Sequence, residues 1–283
     1  MGRTTLAALV VGMRFLFGSM PVGAQTPKID FHPLGWVDLG PRTEVALDAG
    51  LGFGDGFFAF VPNLSFQYGF TPDLAAGLEW GFSVVDPDHG DGDAWISGLG
   101  FLLRARHCQE GQMEICFGTE SKIGINPYNV EDLDGGEVLA AAMGVSVPMM
   151  EWNHYLPESV ILSPRLAVSA STPVFFLQAN LGPTLIIPLD HTGETDGDRD
   201  VEAALAWGFD LGLRAAGGLD LFFGFMGFST LTLRDDDTFA ALVLGGALLV
   251  GNLRPYLRLT IPLDDVYSEG FDLNLSLGLA LAF

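Results

Sequence analysis

The sequence predicts an all-β fold: an up-and-down antiparallel β-barrel of about twelve strands that spans a membrane. Three observations predict it. Segment after segment alternates large apolar residues with polar or small ones. In the last stretch, FDLNLSLGLALAF, one face carries Phe271, Leu273, Leu275, Leu277, Leu279, Leu281 and Phe283. The apolar faces carry almost no charge at the strand centres. The 283-residue chain is also greasy and acidic at once, with 49% hydrophobic residues, 37 glycines and a formal net charge of −22.

Period two is the repeat of a strand, because successive side chains point to opposite faces. A soluble sandwich alternates too, so face chemistry has to separate the two. A soluble barrel has a densely charged exterior. Here the polar face is sparse, mixed in sign and rich in Gly, Ala and Ser, while the apolar face is nearly uncharged. That asymmetry is expected where the apolar face meets lipid. Only a closed barrel lets strands cross lipid with every backbone group paired. No stretch after the N-terminus supplies the roughly 20 uninterrupted apolar residues of a membrane helix. FAALVLGGALLVG, residues 239–251, comes nearest, and turn signals bound it.

Residues 1–24 read as an export signal: Arg3, then apolar LAALVV and FLF, then small residues Val22-Gly23-Ala24 before a cut at Gln25. Arg14 interrupts the apolar core; a start at Met13 would leave an unusually short signal. Residues 25–40 form an N-terminal extension, and residues 41–283 a single barrel domain.

The strands begin near 42, 58, 73, 94, 114, 159, 174, 201, 218, 239, 253 and 270. In the first, Val45, Leu47, Ala49, Leu51 and Phe53 oppose Glu44 and Asp48. In the second, Phe58, Phe60, Leu64, Phe66, Tyr68 and Phe70 oppose Asn63, Ser65 and Gln67. The third opposes Leu74, Leu78, Trp80 and Phe82 to Glu79 and Ser83; the fourth opposes Leu99, Phe101 and Leu103 to Arg104 and Arg106. The fifth sets Ile115, Phe117, Ile123 and Ile125 against Glu114, Glu120 and Lys122; the sixth sets Val160, Leu162, Leu166 and Val168 against Ser163 and Arg165. The seventh and eighth continue the pattern, with Gln178, Asn180 and Thr184 and then Glu202, Asp210 and Arg214 on the polar face. The ninth places Asp220, Thr230 and Thr232 against an aromatic-rich face, and the eleventh places Arg254, Tyr256, Arg258 and Thr260 against leucines and Ile261. A further strand in VLAAAMGVSVPMM, with another in KIDFHPLGWVDLG, would make fourteen; the alternative is a long loop with a short helix.

TPD, STP, AGG and GN are tight connections, whereas DPDHGDGD, DHTGETDGDRD, RDDDT and DDVYSEG are longer and acidic. From residue 158 onward short and long alternate, as in an up-and-down barrel with turns at one rim and loops at the other. The two cysteines, Cys108 and Cys116, flank a hairpin tip and are a candidate disulfide in an oxidising compartment, two unlinked thiols being the alternative. Without a nearby His pair they make no metal site. Phe58, Trp80, Trp95, Trp152, Tyr155, Trp207, Tyr256 and Tyr267 fall near segment ends, as interfacial aromatic girdles would.

The closing stretch resembles the C-terminal targeting strand of bacterial outer-membrane β-barrel proteins, through Ser276, Gly278, Leu281 and the terminal Phe283. The resemblance implies location in that membrane, insertion by the barrel assembly machinery, and contact with outer-membrane lipid and lipopolysaccharide. It identifies no subfamily and leaves the oligomeric state open.

Acidity argues against a nucleic-acid partner, which would need a basic surface. The five histidines, His32, His89, His107, His154 and His191, fall in loops, turns or near the N-terminus, and none pairs with a Ser nucleophile and an acid. The expectation is no enzyme and no cofactor. The acidic loops lack the full calcium-loop spacing, so a solvated loop competes with weak divalent binding that bridges lipopolysaccharide phosphates. The polar face supplies lumen candidates: Glu44, Asp48, Glu79, Arg104, Lys122, Arg165, Asp210, Arg214, Asp220, Arg254 and Arg258. Its arginines can form a basic ladder across from the acids, giving a transverse field, or they can pair inside a narrow barrel. Three functions remain: a channel or porin-like transporter for small solutes, a non-conducting structural or binding barrel, and an apolar-substrate barrel. Inner-facing Phe176, Phe222, Met226 and Phe228 are compatible with the third; local packing explains them more simply.

Overall fold

The computed structural model describes residues 43–54, 57–87, 93–109, 111–127, 159–189, 201–215, 218–232, 238–263 and 272–283. Among these every regular element is a strand: β1 (Glu44–Gly54), β2 (Phe57–Thr71), β3 (Leu74–Pro87), β4 (Asp93–Gln109), β5 (Glu114–Asn126) and β6 (Ser159–Ser171). Then follow β7 (Phe175–Pro188), β8 (Glu202–Ala215), β9 (Leu219–Thr230), β10 (Thr238–Leu248), β11 (Leu253–Pro262) and β12 (Leu273–Ala282). Each strand pairs antiparallel with its sequence neighbours, and β1 pairs with β12 to close the barrel. The closing seam runs unbroken from Glu44↔Ala282 to Phe53↔Leu273. It is extended by Phe283 N–H donating to the Thr43 carbonyl at 2.9 Å. Twelve strands therefore leave no sheet edge, and the fourteen-strand alternative is set aside. Its two extra segments lie outside the described residues, as do the export signal and the N-terminal extension.

The period-two pattern survives closure. Along β7 the even residues Phe176, Gln178, Asn180 and Thr184 are buried, while Leu181 is 50% exposed. The exposed set includes Leu47, Leu64, Phe101, Phe117, Leu166, Phe223, Phe225, Leu244 and Leu279. These form an apolar belt on the outside, where a soluble protein would carry charge. Among the described side chains, the charged residues of the strands turn inward. One rim carries the tight links, with positive-φ glycines at Gly218 and Gly251. The other carries the longer links, except for the two-residue β1–β2 connection.

The structure changes three expectations. Tyr256 is no girdle residue: it faces inward on β11 and packs against the inner apolar cluster. Trp80 does point outward, 46% exposed, but from mid-strand in β3. His32, His89, His154 and His191 lie outside the described residues, yet His107 is not in a loop. It sits in β4, exposed on the outer face opposite Phe117.

Candidate functional site: the inner wall

All eleven lumen candidates point into the barrel. Ten are at most 6% exposed, and Arg214 is half-buried. Charges removed from bulk water need partners, and among the described residues the wall supplies them for several of these groups, though not for the carboxylate oxygens of Asp210 and Asp220. On β2–β6, Arg104 Nε donates to Glu120 Oε2 at 2.5 Å and its Nη1 to Gln67 Oε1 at 2.6 Å. Lys122 Nζ meets Glu79 Oε1 at 3.1 Å, and Arg165 stands opposite Glu120 in the β5–β6 register. Across β12, Arg254 Nη2 lies 3.8 Å from Glu44 Oε2. Asp220 stands opposite Arg214 in the β8–β9 register and is within electrostatic reach of Arg254 as well.

Together these form a wall of mixed sign. Among the described residues five buried cations (Arg104, Lys122, Arg165, Arg254, Arg258) and six buried carboxylates (Glu44, Asp48, Glu79, Glu120, Asp210, Asp220) face inward, with half-buried Arg214 beside them. The basic ladder opposite an acidic one is not formed. Cations come from β4, β5, β6, β8 and β11 and acids from β1, β3, β5, β8 and β9, so neighbours neutralise each other.

The second sector is apolar. Ile161, Phe176, Ala204, Ala206, Phe222, Met226, Phe228, Phe239, Ala241, Val243 and Ala247 form one buried cluster on the inside of β6–β10. The inner row of β10 runs Phe239, Ala241, Val243, Gly245, Ala247 without a polar side chain. Its aromatics lie along the wall. The Phe176 ring lies where a Cβ on Gly212 would be, Phe222 does the same over Gly245, and Tyr256 over Gly278. Each glycine is the ring's cross-strand partner. The three rings lie against the wall over these glycines. Arg214 adds a cation 5.6 Å from the Phe176 ring centroid.

Sequence alone does not single out two features of this wall. Glu120 shares the parity of Lys122, which is the available signal, and it is the partner that satisfies Arg104. The inner row of β10 gives no signal, because that strand is apolar on both faces. Of the terminal-strand residues, Ser276 faces inward and donates to Asn274 Oδ1 at 2.8 Å, Gly278 seats Tyr256, and Leu281 and Phe283 are exposed. Cys108 and Cys116 face each other across β4 and β5 and form a disulfide at the short-turn rim. Glu114 is beside them, but bonded sulfurs are no longer thiolate ligands.

No family model matches the sequence, and no curated protein matches it. The fold, however, is found among solved structures. An outer membrane channel from Pseudomonas putida F1 has a TM-score of 0.62 at 11% identity, covering 90% of this chain and 100% of its own. The NanC porin has a TM-score of 0.53 at 8% identity, covering 84% of this chain and 100% of its own. The closed barrel, its apolar exterior and this shared fold give the chain the architecture of the bacterial outer-membrane β-barrel proteins. A closed barrel with an apolar exterior crosses a membrane with its strands. In barrels of that class the short turns face the periplasm and the longer loops the outside.

Proposed function

We propose that the protein is a narrow channel for small solutes. The observation that carries this reading is the inner wall: balanced, paired charges on one arc and flat aromatic rings on the other. Twelve strands lie between small barrels filled by side chains and sixteen-strand water-filled pores. Deep burial of Arg258 (1%) and Asp210 (0%) supports a constricted passage rather than a wide one. The porin and channel names borne by the structural relatives point the same way.

Swelling of proteoliposomes in iso-osmotic solutes tests it. Small solutes without net charge, such as glycerol and glycine, are expected to enter faster than into empty liposomes, with disaccharides excluded. Swelling indistinguishable from empty liposomes, with heat-modifiable folded barrel present, refutes the channel.

A further inference from the structure

We propose that the lumen takes a small uncharged amphiphile: an apolar body carrying one hydroxyl-type head that both donates and accepts hydrogen bonds. This rests on the channel reading and names its solute class. A water-filled lumen calls for a polar interior. Yet the inner row of β10 is apolar from rim to rim, and Phe222, Met226 and Phe228 of β9 widen it to two strands. Phe228 and Phe239 stack at 5.4 Å between centroids, and Phe222 lies flat over Gly245. The result is a smooth apolar stripe along the bore.

Its middle holds an unsatisfied polar group. Asp210 reaches from β8 across Gly224, its Oδ1 filling the space a Cβ there would take. Gly224 pairs with Val243 of β10, so the carboxylate tip sits on the stripe. Asp210 is 0% exposed, and among the described residues no group donates to either carboxylate oxygen. A buried acceptor left without a donor is costly. From the other edge comes Arg258, within electrostatic reach of Asp210, with Nη2 at 2.7 Å from Met226 Sδ. A thioether is a weak acceptor. A ligand hydroxyl can donate to Asp210 and accept from Arg258 in place of that sulfur. The carboxylate disfavours an anionic head and the guanidinium a cationic one, so an uncharged head satisfies both. The body then lies on Phe222, Met226 and Val243. Arg258 leaving the sulfur is the side-chain motion that uncovers the stripe.

The test uses benzyl alcohol as probe, in equilibrium dialysis against the full chain folded in nanodiscs, with empty nanodiscs subtracted. Benzoate and glucose are the comparison solutes. The expected result is saturable binding of benzyl alcohol alone. Asp210→Ala and Val243→Asp should weaken it about tenfold or more, as the loss of one well-placed buried interaction would. Met226→Leu, which keeps the apolar volume, should retain it. Should Val243→Asp not give a heat-modifiable barrel, Phe228→Ser tests the same stripe. Non-saturable partitioning equal in wild type and variants overturns the proposal, as does benzoate binding as tightly. If binding fails while glycerol and glycine still swell proteoliposomes, the channel stands and the amphiphile falls. Saturable binding without swelling upholds the amphiphile site and refutes the channel.

Discussion

Arg104 shows what a charge inside this barrel requires. Its guanidinium is held by Glu120 and Gln67 together, and the ion pair is 6% and 1% exposed. Removing one partner strands the other charge, whereas removing both need not cost much. Arg104→Ala is therefore expected to destabilise by about 3–5 kcal/mol. Arg104→Met combined with Glu120→Met should recover most of that loss. Urea titration of the barrel in lipid vesicles measures both; equal losses would mean that the pair is not coupled. At this scale the sequence is informative about side and silent about pairing. Parity alone puts Glu44, Asp48, Glu79 and the other candidates on the inner wall. Which carboxylate each cation reaches depends on strand stagger around the closed wall, and period two carries no trace of stagger. Asp210 is an example: its tip lies over Gly224 of the next strand, a placement set by the β8–β9 register.

At the scale of the element, strand positions are almost wholly legible, with each start within three residues of its expected place. The reason is physical. A strand with lipid on one side and the lumen on the other has two different solvents, so every strand writes its alternation plainly. β10 is the exception that explains the rule: both its faces are apolar, and its inner row is invisible to the pattern. The glycine seats belong to this scale as well. Phe222 lies flat because Gly245 has no Cβ. Gly245→Val should push the ring toward the bore and overpack the wall, at about 1–3 kcal/mol. Slower proteoliposome swelling by the folded variant is the expected reading, and an unchanged rate would show that the ring does not border the passage. Neighbouring positions of β10 test which side is which. Leu244→Arg puts a cation against lipid and should cost about 2–4 kcal/mol near mid-membrane. If vesicle unfolding shows Leu244→Arg to be neutral, the outer face of β10 has been misassigned.

The whole molecule is a sheet turned outside in: leucines and phenylalanines without, charges within, and no free edge. A strongly acidic chain nonetheless builds an inner wall in which, among the described residues, buried cations and carboxylates are nearly equal in number, because most of its excess acid lies elsewhere in the sequence. A balanced wall repels neither ion sign strongly, so the passage should discriminate by width and polarity more than by charge. Reversal of one member should break that balance: Arg258→Glu is expected to shift selectivity toward cations. Single-channel recording of the refolded protein in a planar bilayer, with reversal potentials under a salt gradient, tests this most directly. Small, reproducible openings of weak selectivity are expected from the wild type, and a cation-selective shift from Arg258→Glu. Silence from a folded, heat-modifiable barrel, or large openings unaffected by Arg258→Glu, would contradict a narrow, charge-balanced channel.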